Sequence, residues 1–483
     1  MDILLAGFNV DYETLQTLTA SHPGMDNITP ETISAAYARI SRNPLPVNEL
    51  RAISRREIEK ARRSNESIVF DMGHSSIAEH AVFNIDVLGV SRLIVEEIEK
   101  FRLCSFTEKS QRYIRLEDDF VIPAELVDDE SRMLFRETVK EQNALYHDLF
   151  RALREYFFDT HRDLAEKPSH RMTLEGWAKE DARYIVSLAT ETQLGMTLNA
   201  RNLELMLRRS AAHHLAEMRE YGARLYDATR HIAPSLVRYT EATPYDLHSR
   251  NELREHMATL AEQKNATGGD PVILLHATPG ADDIILSSLL HSLSNRSMEQ
   301  CRKTVSRLTT EEKKDIIKTA CRRMEAYDSP PREFENADIL YELTISASCF
   351  AQLKRHRLAT ITSQQYDPAL GVTVPPSIEA VNMNGPFMER ISRTNEVYER
   401  IARSAPAAAP YILTNAHRKR VIMKVNVREL YHISRLREDR HAQWDIRETA
   451  RHMVMRARKV MPLSLLFACG KDSFADLRES ILD

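Results

Sequence analysis

A chain of 483 residues is longer than one ordinary core supports, and about two to four domains are expected. Hydrophobic residues at 43% and charged residues at 28% describe a soluble globular protein, and only 13 glycines favour helices over turn-rich β architecture. A net charge of −4 excludes a general attraction to nucleic acid or to an anionic membrane, so any anion site must be a local cluster of arginines.

The N-terminal MDILLAGF predicts a short strand followed by helical patterning; acids at Asp11 and Glu13 and the lack of a basic leader argue against a signal peptide. GHSSIAEH, at 73–80, gathers His74, Glu79 and His80, but the spacing is not that of a two-histidine zinc helix and no third ligand follows. No metal is expected; Ser75, Ser76 and Glu79 are expected to cap and hydrogen-bond. KFRLCSFTEKSQRY follows at 100–113. Glu108, Ser110 and Arg112 alternate there, so an extended chain would aim all three one way. Segment 131–165 has clear helical periodicity, with Leu134, Leu145, Leu149, Leu153 and Phe157 forming a stripe expected to pack in the core. Asn199 and Arg201 then open a further helical pattern, TLNARNLELMLRRSAAHHLAEMRE.

A polar stretch with Pro244 and a Thr267-Gly268-Gly269 turn marks a linker, with one solvated helix expected in it. The predicted division is a first domain at 1–240, a linker at 241–270 and a second domain at 271–483. PVILLHAT, from Pro271, predicts a second short strand. TISASCFAQLK, an apolar strand or helix, leads into RHRLATITSQQYDP at 355–368. Guanidinium forks such as Arg355 and Arg357 bind phosphate or carbonyl oxygens, although a short basic run by itself equally describes a solvated surface. In KVNVRELYHISRLREDRHAQWDIRE, Asn426 and Arg428 open a helix on which Arg437 and His441, four apart, are expected to be neighbours.

The two halves are self-similar. Asn-X-Arg opens a helix in each, 99 residues after Lys100 in the first half and 71 after Arg355 in the second, so the first carries an insertion around its stripe helix. This is a diverged tandem repeat. The scattered cysteines, Cys104, Cys301, Cys321, Cys349 and Cys469, have neither zinc spacing nor a disulfide framework, which fits a reducing cytoplasm. No run reaches the roughly 18 apolar residues of a membrane helix. No phosphate-binding loop or nucleophile motif is present, so an enzyme of this sequence would rely on a cofactor.

GHSSIAEH, the KFRLCSFTEKSQRY and RHRLATITSQQYDP pair, the two Asn-X-Arg helices and the late His-Ala-Gln together resemble the flavin-dependent thymidylate synthases. The resemblance implies an α/β (α+β), helix-rich fold in two tandem diverged copies, with a mixed sheet and long helices. It implies FAD-dependent methylation of dUMP to dTMP, with 5,10-methylenetetrahydrofolate as carbon donor and NADPH as reductant. In that family each nucleotide site is shared between subunits of a homotetramer, so two of these chains would form a pseudo-tetramer. The second half keeps one jaw, Gln352, Arg355, His356, Arg357 and the catalytic Arg437; the first keeps the other, Glu108, Ser110, Arg112 and Arg183. The converse combination is lost: Lys100, Phe101 and Ser210 stand on one side, and Ser363, Gln365, Asp367 and Pro410 on the other. A one-residue slip would put Arg209 in place of Ser210. One composite nucleotide site is therefore expected, with Ser110, Arg112 and Arg183 on the phosphate, Gln352 and Arg355 on the nucleotide, and Arg437 against the pyrimidine. FAD is expected at Arg355, His356, Arg357, Asn426, Arg428, His432, Ser76 and Glu108. Glu108 could alternatively serve the ribose, and Asn199 and Arg201 a second flavin or a vestigial site. A flavoprotein for another uridine nucleotide and a non-catalytic nucleotide-binding regulator are the alternatives.

Overall fold

The computed structural model describes residues 1–8, 12–21, 29–40, 53–54, 57–112, 116, 118–260 and 269–482. They fall into two compact units: Met1–Asn265 with Gly385–Leu413, and Ala266–Asn384 with Thr414–Asp483. The first unit holds β1 (Asp2–Gly7), β2 (Val82–Ser91), β3 (Ser105–Glu108) and β4 (Glu191–Asn199) in the order β1-β2-β4-β3. The second holds β5 (Val272–Ala277), β6 (Asp338–Ser346), β7 (Thr360–Ser363) and β8 (Arg418–Asn426) in the order β5-β6-β8-β7. The same order in both units is the fold-level counterpart of the sequence repeat.

The expected helix-rich α+β class with two diverged copies stands, but each sheet is antiparallel throughout rather than mixed. One-sided burial accords with this. Along β4, Thr192, Leu194, Met196 and Leu198 are buried while Glu191, Gln193 and Gly195 are exposed, as in an antiparallel sheet covered on one face. Both strands expected from MDILLAGF and PVILLHAT form, each followed by a helix, Tyr12–Ser21 and Ala281–Ser292.

Side-chain caps fix where strands become helices. Ser91 Oγ accepts from Ile94 N at 3.2 Å and Ser346 Oγ from Cys349 N at 3.0 Å, starting the Arg92–Ile98 and Ala347–Leu353 helices. TISASCFAQLK is thus a strand and then a helix. Asn199 Oδ1 accepts from Asn202 N at 2.9 Å and Asn426 Oδ1 from Glu429 N at 2.7 Å, starting Ala200–Ala211 and Val427–Arg437.

The stripe helix runs Asp129–Thr160. Leu149 and Leu153 are buried, but Leu134, Leu145 and Phe157 are half-buried, and the buried line also takes in Phe135, Val139, Gln142 and Tyr146. Gln142 lies there because its Nε2 donates to Thr394 Oγ1 at 2.9 Å and to Ile412 O at 3.0 Å. Thr394 belongs to the Asn384–Ser404 helix, whose Phe387, Ile391, Val397 and Ile401 are also buried. Segment Gly385–Leu413 therefore groups with the first unit, where the sequence predicts an uninterrupted 271–483 domain. The predicted linker contains the helix Pro244–Ala258, capped by Thr243 and with no buried residue, which matches the solvated helix expected. Thr267 and Gly268 of its turn lie outside the described residues.

Candidate active site

In the second unit the Ala347–Leu353 helix delivers the Arg-His-Arg segment. Arg355 and Arg357 are exposed, and His356 between them is buried at 3% exposure. Arg437, in the last turn of Val427–Arg437, reaches back: its Nε donates to His356 Nε2 at 3.0 Å and its Nη2 to Gln352 O at 3.0 Å. An arginine keeps its protons, so the His356 nitrogen facing it must present a lone pair, and the ring proton sits on Nδ1. Burial, with the neighbouring charges of Arg437 and His432, holds the imidazole well below the usual histidine range, which agrees with a neutral ring. Nδ1 stands 3.3 Å from Glu429 Oε1, and no aligned hydrogen bond satisfies it among the described residues.

His356, Glu429 and His432 place potential ligand atoms within 4.8 Å of one another, a grouping with metal-like spacing. With Nε2 engaged by Arg437 and Nδ1 protonated, His356 has no lone pair left for an ion.

Gln352 is buried, its Nε2 weakly engaging Ser348 O and Gln443 Oε1, each at 3.4 Å, and its Oε1 finds no partner among the described residues. Arg428 is held within its own unit, Nε donating to Pro330 O at 2.8 Å with Glu335 Oε1 at 3.3 Å from Nη1. Asn426 caps its helix, and His432 is exposed with its ring edge-on to His356. His441 is not on the Arg437 face as expected. The helix ends at Arg437, and Asp439 Oδ1 accepts from His441 N at 2.8 Å, folding the chain into a turn.

In the first unit the extended comb stops early. β3 ends at Glu108, Lys109 N adds one rung to Gln193 O at 2.9 Å, and Ser110 Oγ accepts from Arg112 N at 3.2 Å, turning the chain. Glu108 is buried in an ion pair with Arg92. Arg112 Nε donates to Glu180 Oε2 at 2.8 Å. Arg183 is buried beside the same carboxylate; burial is the main cause lowering its pKa, Arg112 adds to that, and Glu180 opposes it. Arg112 and Arg183 thus share the Glu180 carboxylate, with Asp181 also acting on Arg183, and both guanidiniums are of the kind that holds an anion.

Ser76 is exposed on the short helix Ser75–His80, which has no side-chain cap, so the expected serine capping there is not seen. Glu79 instead pairs with Arg201 at 2.5 Å, while Asn199 caps its helix.

The lost positions are filled structurally. Lys100 pairs with Glu97 at 2.6 Å and Phe101 is buried. Asn199 and Asn426 cap their helices alike and lie eleven residues before Ser210 and Arg437, so the ungapped register holds and Arg209, which is exposed, does not replace Ser210. Ser210 is fully buried, and a Cβ on Gly222 would meet its Cβ at 2.5 Å. On the other side, Asp367 Oδ1 accepts from Ala369 N at 2.9 Å to cap its own short helix, and Pro410 lies in Ala409–Ile412 as Arg183 lies in Arg183–Ile185. Arg92, Glu180 and Glu429 belong to none of the sequence motifs, whereas Gln443 is the glutamine of the late His-Ala-Gln. The first two have no repeat signature, whereas Glu429 sits three residues past the Asn426 cap and was accessible by aligning the halves.

The family model described as "Thymidylate synthase complementing protein" matches residues 25–235 and again 273–463. A UPF0159 protein of Chlamydia pneumoniae is 24% identical over 442 residues, covering 85% of this chain and 81% of its own length. A flavin-dependent thymidylate synthase of Clostridium tetani is 27% identical over 215 residues, covering 44% of this chain and 82% of its own. The crystal structure of a flavin dependent thymidylate synthase from Helicobacter pylori, complexed with FAD and dUMP, is 16% identical, covers 49% of this chain and 100% of its own, and has a TM-score of 0.32.

Proposed function

The chain belongs to the thymidylate synthase complementing protein family in two tandem copies, and from that premise we propose that it methylates dUMP to dTMP with FAD, 5,10-methylenetetrahydrofolate and NADPH. The observation that carries the proposal is the division of labour between the halves. Arg437 is held against His356 and Gln352 in one unit, and Arg112 and Arg183 converge on Glu180 in the other. Each set is the half of a nucleotide site that its counterpart repeat has lost.

In this reading Ser110, Arg112 and Arg183 hold the phosphate, whose charge of about −2 suits guanidinium and hydroxyl donors. Arg437 faces the pyrimidine carbonyl or N3 and stabilises negative charge developing on the ring. Gln352 and Arg355 orient the nucleotide, and Gln352 Oε1, without a partner among the described residues, is an acceptor suited to a ligand N–H. Glu108, fixed by Arg92, serves the ribose or the flavin. The residues present fit FAD: exposed Arg355 and Arg357 suit its anionic pyrophosphate, and His356, Asn426, Arg428, His432 and Ser76 complete the set. When bound, FAD supplies the redox chemistry of a reductive methylation. Asn199 and Arg201, held by a cap and by Glu79, fit a vestigial flavin site. A cytoplasmic homodimer, equivalent to a pseudo-tetramer, is the proposed working form.

The test is incubation of purified protein with C5-tritiated dUMP, 5,10-methylenetetrahydrofolate and NADPH. Tritium release with dTMP formation is expected; neither appearing sinks the synthase proposal. Dependence on UMP instead would transfer it to another uridine nucleotide.

A further inference from the structure

We propose that Glu429 and His356 are positioning residues for Arg437: the buried carboxylate fixes the imidazole tautomer, and the imidazole holds the guanidinium in its working orientation. The inference rests on Arg437 acting on the pyrimidine, and it assigns to His356 a task beyond cofactor contact and to Glu429 its first role.

Three observations support it. Hydrogen-bond direction is forced from the Arg437 end, because Nε–H can only donate, so His356 Nε2 accepts and Nδ1–H points toward Glu429 Oε1 at 3.3 Å. At 3.3 Å the carboxylate is within reach of Nδ1–H, and a small tightening of this contact completes the relay. Second, His356 and Glu429 are each only 3% exposed, so bulk water cannot take over either contact. Burial raises the carboxyl pKa of Glu429, with His432 and Arg428 opposing. Among the described residues, the charges that act on the pair are those of Arg437, His432 and Arg428, the last already held by Pro330 and Glu335, and Arg355 and Arg357 flank His356 in the chain.

The third observation comes from within the chain. At the equivalent places in the first half, His356 becomes Phe101, Glu429 becomes Asn202 and Arg437 becomes Ser210. The Asn cap and the Arg two residues after it survive in both halves, as Asn199/Arg201 and Asn426/Arg428. Asn202 has turned to its own cap, Nδ2 donating to Asn199 Oδ1 at 2.8 Å. All three members are absent where the catalytic arginine is absent and present where it is present, although the helix is built in the same way. A purely structural histidine and glutamate need not depart together with the arginine.

An arginine anchored at Nε and Nη2 has lost most of its torsional freedom, and misplacing a group at the reacting centre costs turnover more than substrate affinity, which the phosphate contacts largely set. Glu429→Ala should lower kcat by about tenfold or more, within the range for outer-shell partners, while KM for dUMP moves less than about threefold. Glu429→Gln, which still offers Nδ1–H an oxygen acceptor, should recover most of that loss. In an Arg437→Ala background, Glu429→Ala should cost nothing further. A harmless Glu429→Ala, or losses that simply add, would overturn the proposal. A readout independent of turnover is ¹⁵N NMR of histidine-labelled protein, with the His356 signal identified by its loss in His356→Phe. A neutral ring protonated at Nδ1 is expected, with mixed tautomers in Glu429→Ala. A ring protonated at Nε2 would overturn the relay whether or not the protein makes dTMP. The expected NMR signal without tritium release would sink the synthase proposal alone.

Discussion

Tyr411 Oη donates to Glu217 Oε2 at 2.8 Å, binding a residue of the second sequence half into the core of the first unit. Glu217 also accepts from Ser91 N and Ser91 Oγ, each at 2.7 Å, so one buried carboxylate ties together a helix start, a later helix and the Gly385–Leu413 segment. Burial raises its pKa against the pull of these donors. Tyr411→Phe should lower the stability of this unit by about 1–3 kcal/mol, since it leaves a buried acceptor short of a donor. Urea denaturation followed by circular dichroism measures it; an unchanged midpoint would remove Tyr411 from the account of why Gly385–Leu413 packs there.

His417 should cost the fold stability on acidification between pH 8 and pH 5, against the opposite contribution of the raised Glu217 and Glu429 carboxyls. His417 is fully buried, its Nδ1 accepts from Thr414 N at 2.9 Å, and burial depresses its pKa from 6.5 to about 4. The unfolded chain takes up a proton below about pH 6.5 that the native state refuses until about pH 4. Stability present above pH 6.5 is therefore lost as pH falls through that window, by about 2 kcal/mol at pH 5. His356 and His214, also depressed, act in the same direction. Unfolding curves at the two pH values should show the drop, and His417→Asn should make it smaller.

Restoring an arginine to the first half should not recreate a second site. Ser210 is fully buried and packed on Gly222, so Ser210→Arg forces a charge and several methylenes into filled space. A loss of about 3 kcal/mol or more is expected from overpacking and an unpaired buried charge. Thermal unfolding measures this, and a stable variant with doubled nucleotide binding would contradict it.

Flavin retention should follow the second unit. Arg355→Ala and Arg357→Ala remove exposed cations beside His356 and should each lower the FAD recovered with purified protein. Arg201→Ala breaks only an exposed pair with Glu79, of the kind worth about 0–1 kcal/mol, and should leave flavin content unaltered. The absorbance near the flavin visible band, per mole of chain, distinguishes them.

Local chemistry was readable in advance: the two opening strands, the Asn199 and Asn426 helix starts and the solvated helix after Pro244 all rest on patterns a few residues long. The failures are of two physical kinds. Some depended on side chains competing with the backbone: Ser110 bonds Arg112 N and ends the extended comb, and Asp439 claims His441 and ends the helix face. Others depended on partners far away in sequence, such as Arg92 for Glu108, Glu180 for Arg112 and Thr394 for Gln142, which no local spacing encodes. The antiparallel sheets belong to this second class, because strand direction is set by pairing between segments far apart in sequence, such as Val82 with Asn199 and Asp338 with Asn426.

The most direct test of the central claim is the number of dUMP molecules bound per chain, measured by equilibrium dialysis on the flavin-loaded protein. One per chain is predicted, lost in Arg112→Ala and kept in Lys100→Ala, while Arg437→Ala keeps most of the binding and loses turnover. Two per chain, binding that survives Arg112→Ala, or full turnover in Arg437→Ala would contradict a single site that draws on both halves.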